Sequence, residues 1–556
     1  MAKSGKKRSE AGSHGFGKPV SVSTQNATKF MRKARQVIKK AEGDREKVYG
    51  FFKANLDELD ESLLEALPSV FAKVTANERR QKRERITALF VDFGSLIQQF
   101  PLGDRALNLE LAITVYQLAL RVFLREESPE NWAIIQNDLG IAYSNRIRGE
   151  RAGNLEKAIV AYKLALQVVT QETFPEHWAS VQNNLGESYR NRIRSERAEN
   201  LEEAISAYEL ALQVRTRGAL PENWATTQNN LGVAYRDRIR GERAENLEKA
   251  IAAYELALQV RTREEFPEYW AAIQNNLGNA YSDHIQGNQT HNVEQAIALH
   301  NQASEVFTRE SFPDKWAENQ SRLAESLMKR SSLTKSLTDL DKAVELLRDA
   351  IEVATLNSPH FIDAQHQLGN ALSRRYENSQ EPHDLEEALR AYETALNAIS
   401  PEHYDRSKIW QALPTTQAIL GKRLVRDGEW QDGLQFLLNS VSQLSTGDDA
   451  LAHASALFET GRAHDALSDW DNARLYFRDA LRLYEHLQDP LGVAKSRAEL
   501  GSVLVSQGYA EKGMAELAKA RDAYHQLEQP KQVAEVDRFY QIAQQVLERQ
   551  TAEAYV

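Results

Sequence analysis

A chain of 556 residues, 42% hydrophobic, carries enough apolar material for several domains or one long repeat array, so disorder is not the default. No run approaches about 18 uninterrupted apolar residues, and the N-terminus MAKSGKKRSEAGSHGFGKP lacks the apolar stretch of a secretory leader; the chain reads as soluble and cytoplasmic. Cysteine is absent, which excludes disulfides, Cys-ligated zinc, iron–sulfur clusters and a Cys nucleophile.

The net charge of −10 is unevenly spread. Residues 1–47 hold 13 Lys/Arg against 4 Asp/Glu, or +9, which leaves −19 for the remainder. Residues 1–27 are rich in Gly, Ser and Lys, and their burial cannot offset ordering entropy, so disorder is expected there. Over 29–41, Phe30, Ala34, Val37, Ile38 and Ala41 share one helical face among Lys and Arg, the pattern of a short basic amphipathic helix. Residues 1–46 are therefore expected to be a basic tail, and 47–79 an N-terminal helical cap.

A repeat follows. Gly94, Gly140, Gly186, Gly232 and Gly278 recur every 46 residues, Ala324 takes the next place, and Gly369 follows 45 later. Gly421 comes after 52 residues, and Gly461 and Gly501 after 40 each. These ten registers define copies 1 to 10, in a 46-residue section over 80–400 and a 40-residue section over 401–528. Pro401 and Pro414 are expected to divide the sections, and residues 529–556 to form a C-terminal capping helix.

Copy 3 shows the plan. Pro175 suits a first helical position, and Trp178, Gln182, Leu185, Gly186 and Tyr189 form the apolar stripe of a first helix. Asn200 reads as the N-cap of a second helix with the stripe Leu201, Ala204, Ile205, Tyr208, Ala211 and Leu212. Asn154, Asn246, Asn292 and Asp384 read as caps likewise. Gly186 and Ala204 would let two backbones approach closely. Such pairs cannot bury their stripes alone and must stack. The recurring Trp132, Trp178, Trp224, Trp270 and Trp316 open the stripe and read as inter-repeat core.

The order Leu-Gly-x-x-Tyr, then Ala, then Tyr, Ala and Leu resembles the tetratricopeptide repeat. The longer unit FPENWATTQNNLGVAYRDRIRGERAENLEKAIAAYELALQVRTR is similar to bacterial, especially cyanobacterial, arrays of that family. The resemblance spans roughly residues 80–528 and implies an all-α, right-handed superhelical solenoid of about ten helix pairs with helical caps. Such arrays often precede a caspase-like CHAT peptidase domain, which needs a Cys nucleophile that this chain lacks. The resemblance thus implies binding without catalysis, cofactor or metal.

At 100° per residue, the core stripe of copy 3 centres at about 20° from Trp178, whereas Asn183, Glu187, Arg190 and Asn191 centre at about 165°. In the family this face of the first helix lines a concave groove, so Asn137, Asn183, Asn229 and Asn275 are expected to enter it, with Glu187, Arg190, Asn191, Arg236, Asp237 and Asn279 beside them. A row of carboxamides can pair with the backbone of another protein's extended peptide without reading its side chains. Replacing the four asparagines by Ala is expected to abolish binding and raise helix stability. Asn184, Asn230 and Asn276 are expected to matter less to binding and to hydrogen-bond between copies. A second row, Arg148, Arg151, Arg194, Arg197, Arg240 and Arg243, with Arg146, Arg192 and Arg238, is interleaved with Glu150, Glu196 and Glu242; ion pairing between copies competes there with a strip for an acidic ligand. In copy 5 this stretch becomes DHIQGNQTHN.

Other signals are weaker. GSHGFGKP (12–19) has phosphate-loop spacing, but Pro19 stands where Ser or Thr would bind magnesium. His360, Asp363 and His366 could share a helical face without supplying a full metal set. NLDELDESLLE is better explained as an acidic helix start than as a calcium loop. Three functions compete: a protein-binding scaffold, attachment to nucleic acid or anionic membrane through residues 1–47, and an unrecognised enzyme.

Overall fold

The computed structural model describes residues 20–399, 406–447 and 449–554. Among these the regular structure is helical, with no strand. The chain divides into two compact units, Met1–Ala280 and Tyr281–Val556. The division falls inside copy 5, not at the change of period near 401. GSHGFGKP and Pro401 lie outside the described residues.

The first unit opens with α1 (Val20–Ala41), α2 (Arg45–Lys53) and α3 (Glu61–Thr75). The amphipathic helix expected over 29–41 is longer, since residues 20–27, expected to be disordered, belong to it. It is no separate tail. Phe30, Met31, Ala34, Ile38 and Ala41 are buried in the same core as Phe52, Phe71, Phe90 and Phe93. Phe30 meets Phe93 edge-on at 6.3 Å, and Phe71 meets Phe90 at 5.1 Å. The apolar face, read as one side of a free helix, is needed to cover the first repeat. Within NLDELDESLLE, Asp60 caps α3 by accepting the Leu63 amide at 2.9 Å.

Ten helix pairs follow, one per register. Copies 1 to 4 are Arg80–Gln99 with Arg105–Ala119, Pro129–Ser144 with Arg151–Leu166, Pro175–Arg190 with Arg197–Leu212, and Pro221–Asp237 with Arg243–Leu258. Copy 5 pairs Pro267–Asp283, which crosses the unit boundary, with Gln289–Ser304. In the second unit come Pro313–Thr334 with Leu337–Val353, Pro359–Ser379 with Pro382–Ala398, Arg406–Asp427 with Trp430–Leu444, Ala450–Ala466 with Trp470–His486, and Pro490–Ser506 with Ala510–Gln526; Pro530–Ala554 ends the series. Pro414 lies inside the helix Arg406–Asp427 and does not break it.

The register glycines act in two ways. In copies 2, 3, 4 and 7 the glycine admits a tyrosine ring: a Cβ at Gly140, Gly186, Gly232 or Gly369 would lie 2.5, 2.8, 2.7 or 2.5 Å from Tyr162, Tyr208, Tyr254 or Tyr392. In copies 8 and 10 backbone meets backbone, with Gly421 against the Gly433 carbonyl and Gly501 against that of Gly513. The close backbone approach expected at Gly186 belongs to those copies instead. Copy 5 departs, because His300 stands where the tyrosine would and is fully buried.

The asparagines read as N-caps do something else. Second helices start three residues earlier, at Arg151, Arg197 and Arg243. Asn200, almost wholly buried, donates to the carbonyls of Arg194 (2.9 Å) and Arg192 (3.4 Å) and accepts from Arg192 Nη1. Asn154 and Asn246 repeat the arrangement. They satisfy the carbonyls of the connecting loop, which burial would otherwise leave unpaired. Asp384, also read as a cap, lies inside its helix and binds Arg375 through both oxygens, at 3.0 and 2.6 Å.

Candidate binding groove

In each unit the first helices of consecutive copies touch one another, whereas second helices of consecutive copies scarcely do. The first helices therefore form the inner layer, and the paired asparagines sit along its seam. Asn184 Nδ2 donates to Asn137 Oδ1 at 3.0 Å, Asn230 Nδ2 to Asn183 Oδ1 at 3.3 Å, and Asn276 Nδ2 to Asn229 Oδ1 at 3.0 Å. The second asparagine of each copy thus binds the first asparagine of the preceding one.

This corrects the expected division of labour. Asn183 and Asn275, expected to face a groove, are buried at 6% exposure, while Asn137 and Asn229 are half-buried. Asn183 Oδ1 also accepts from Thr227 at 3.1 Å. Both rows take part in stacking. The row Asn184, Asn230 and Asn276 is the donor row and is half-buried. Asn275 Oδ1 has no partner among the described residues, and 47 positions further on the sequence has Arg322 rather than Asn.

Of the other expected groove residues, Glu187 is exposed, and Asn191 and Asn279 are half-buried. Asp237 is taken by its neighbour Arg236 at 3.0 Å and approached by Arg197 at 3.8 Å. Arg190 lies near Tyr208 and gives its carbonyl to Arg197.

The arginine row is consumed within the protein. Arg146, Arg192 and Arg238 each grip a glutamate of the preceding copy through two nitrogens: Glu110 at 2.7 and 2.9 Å, Glu156 at 2.7 and 2.9 Å, Glu202 at 2.8 and 2.8 Å. These hydrogen bonds raise the arginine pKa values, and those from Arg192 and Arg238 hold Glu156 and Glu202 below the usual carboxylate range. Arg151, Arg197 and Arg243 donate to the carbonyls of Ser144, Arg190 and Arg236 and close the preceding helix. Arg148 meets Glu61, Arg194 meets Glu150 at 3.4 Å, and Arg240 lies 3.8 Å from Glu199. The glutamate partners were legible as an Arg–Glu spacing of 36 residues, repeated three times.

Arg215, unnoticed in the sequence, is buried and donates to Thr227 Oγ1 and Ser180 Oγ, both at 3.0 Å; burial pushes it down to about 10. Trp132 and Trp316 pack half-buried against the core, with Arg125 and Arg309 over their rings.

The inner layer of the second unit is ionic. Arg322 meets Glu325 at 3.3 Å and Asp363 at 3.6 Å, and Lys329 meets Asp283 at 2.8 Å and Glu325 at 3.2 Å. Burial pushes the Glu325 carboxyl up, but Lys329 and Arg322 outweigh it and hold it below its ordinary range. Asp363 thus faces Arg322, and His366 Nε2 lies 3.3 Å from Asn370. Further along, Glu499 is pushed up to about 7 by burial against the pull of Arg462. No group of three or more metal-ligating side chains occurs among the described residues, and none of their helices is long and apolar enough to cross a membrane.

Helix pairs locked by glycine against tyrosine and stapled copy to copy define an all-α helix-pair repeat protein. Residues 224–267 match the family model described as Tetratricopeptide repeat, and the copies around them follow the same sequence pattern. Among solved structures, it is similar to a tetratricopeptide repeat protein from Parabacteroides merdae, at 14% identity over 61% of this chain and 98% of that one, with a TM-score of 0.38. It is also similar to the apo form of the quorum sensor NprR from B. thuringiensis (13% identity, 76% and 98%, TM-score 0.33). The complex of the TPR2AB domain of yeast Sti1 with pHSP90 is another (16% identity, 58% and 98%, TM-score 0.20). No curated protein matches the chain.

Proposed function

We propose that this protein is an interaction scaffold that holds an extended segment of another protein along the inner layer of the first unit, by binding and without catalysis. The observation that carries the reading is a set of polar side chains left unused beside the amide seam. Glu187, Asn191 and Asn279 form no side-chain hydrogen bond or salt bridge among the described residues, whereas Asp237 at the corresponding end of copy 4 is held by Arg236. The half-buried seam amides add capacity, since each ladder bond uses one of the two N–H groups of the donor. An extended backbone offers the matching donors and acceptors.

Photo-crosslinking in the host tests this. A benzophenone amino acid at Glu187 or Asn279 is expected to capture a discrete protein partner, and one at Glu203, exposed on a second helix, is expected not to. Equal capture at all three positions, or capture at Glu203 alone, would reject the inner layer as the binding face.

A second reading, electrostatic attachment through the N-terminal segment, is favoured by one observation. Lys29, Arg32, Lys33, Lys39 and Lys40 are all exposed on α1, while its apolar face is buried in the core. Such a face would touch nucleic acid or anionic lipid by charge alone, with strong salt dependence.

A further inference from the structure

Ile147, Ile193 and Ile239 occupy the connection between the two helices in copies 2, 3 and 4 and are 59, 56 and 60% exposed. Single exposed apolar residues are ordinary. These are presented rigidly and in series. Asn200 holds the carbonyls of Arg192 and Arg194, the residues on either side of Ile193, and Asn154 does the same around Ile147. Adjacent connections touch, because Arg194 reaches Glu150 at 3.4 Å. The isoleucines therefore recur as a row of exposed apolar side chains, one per connection, on the first unit.

Copy 5 separates this feature from the clamp around it. There the three arginines have become His284, Gln286 and Gln289, yet Ile285 remains and is 59% exposed. The isoleucine is kept where the charge pattern is not, so it is not a by-product of the arginine row.

We propose that this edge is where two copies of this chain associate. The argument for a second copy is charge complementarity. Arg194, Arg240, Glu150, Glu196 and Glu242 are exposed around the isoleucines, and Arg148 is partly so. An edge carrying both signs matches itself when turned by a two-fold axis, since residue i then meets j while j meets i. Arg194 and Arg240, whose links within the chain to Glu150 and Glu199 are long, at 3.4 and 3.8 Å, and exposed, can exchange them for a glutamate of the other copy, with the isoleucines packed between them. A strip of one sign would have pointed to nucleic acid or anionic lipid instead. The strip is narrow, below the roughly 800 Å² per partner of a standard interface, so the dimer is expected to be weak, with a Kd on the order of micromolar.

Sedimentation velocity of the full chain tests this. Wild type is expected to shift from monomer to dimer between roughly 1 and 100 µM. The triple variant Ile147→Lys, Ile193→Lys, Ile239→Lys is expected to stay monomeric with unchanged helical content and melting. A variant with Arg148→Glu, Arg194→Glu and Arg240→Glu should also lose self-association, and should regain association when mixed with one carrying Glu150→Arg, Glu196→Arg and Glu242→Arg. Wild type that is monomeric throughout, or an isoleucine variant that dimerises like wild type, overturns the proposal. So does isoleucine-dependent binding of monomeric wild type to phosphatidylserine vesicles, which would assign the edge to a lipid surface.

Discussion

Copies 2 to 4 and copies 6 and 7 solve one packing problem with different chemistry. Each must tie down the connection between its two helices and place an arginine there. In copies 2 to 4 neutral Asn154, Asn200 and Asn246 take the loop carbonyls, which frees Arg146, Arg192 and Arg238 to reach back to a glutamate of the preceding copy. In copies 6 and 7 the position belongs to Asp339 and Asp384, which hold Arg330 and Arg375 within the same copy. Arg375 keeps one further link, to Asp341 of the preceding copy at 3.2 Å. One residue type thus decides whether the strongest ion pair links copies or closes a single copy. In a repeat array those are the interface and intrinsic contributions to stability.

The largest expected effect comes from breaking the self-contained clamp. Asp384→Ala removes a buried carboxylate and leaves Arg375 only its link to Asp341, so the cost approaches but stays below the about 3–5 kcal/mol of a fully stranded buried charge. Asn200→Ala leaves loop carbonyls unpaired and should cost less, about 1–3 kcal/mol. Hydrogen exchange with denaturant melts would read both, since a repeat array need not unfold in one step. Protection should fall mainly within copy 7 for Asp384→Ala. Arg192→Ala should instead lower protection on both sides of the junction between copies 2 and 3. The same footprint for Asp384→Ala and Arg192→Ala would erase the distinction.

The helix pairs were legible because the register recurs ten times, as a glycine everywhere but at Ala324 of copy 6, and a Pro starts the first helix of copies 2 to 7 and 10. The roles of particular polar residues were less so. An Asn immediately before an apolar stripe looks like a cap from sequence alone; that it clamps the loop depends on where the chain turns, which the Arg197 contact with the carbonyl of Arg190 helps to fix. The angular reading took Asn183 to lie off the core stripe of its own helix. It could not show that the neighbouring first helix covers that side, because the packing of copy on copy is not a property of one helix. For α1, composition argued for a free tail, and the apolar surface of the first repeat that needs covering prevailed.

The amide seam gives the next effect, and it reverses the earlier expectation for stability. Replacing Asn184, Asn230 and Asn276 by Ala removes three inter-copy hydrogen bonds, each worth about 0.5–1.5 kcal/mol. Better helix propensity returns about 0.5 kcal/mol per site. A net loss of about 1–2 kcal/mol is expected, confined to the first unit. Replacing Asn137, Asn183, Asn229 and Asn275 should likewise destabilise, because Asn137, Asn183 and Asn229 hold the acceptors. A rise in melting temperature for either set would show that the seam is idle.

The smallest effect isolates charge within that seam. Asp138 stands in copy 2 where copies 3, 4 and 5 have Asn184, Asn230 and Asn276, and the residue 47 positions earlier is Val91, which offers no side-chain acceptor. Burial pushes the Asp138 carboxyl up to about 6, although the hydrogen bond from Asn137 pulls the other way. A carboxyl whose folded pKa lies above its unfolded value, about 3.9, favours the folded state when protonated. Its contribution is complete below about pH 4 and is lost as pH rises through about 6. At pH 8 the ionised group costs roughly two pKa units, about 3 kcal/mol at most, and partial access of water reduces this to about 1–2 kcal/mol. Asp138→Asn restores the repeated Asn pair without changing shape. It should raise stability by that amount at pH 8, leave it nearly unchanged at pH 4, and flatten the slope between. An equal gain at both pH values would mean that the amide improves packing rather than removing a charge. No gain at pH 8 would mean that the carboxylate is hydrated where the seam begins.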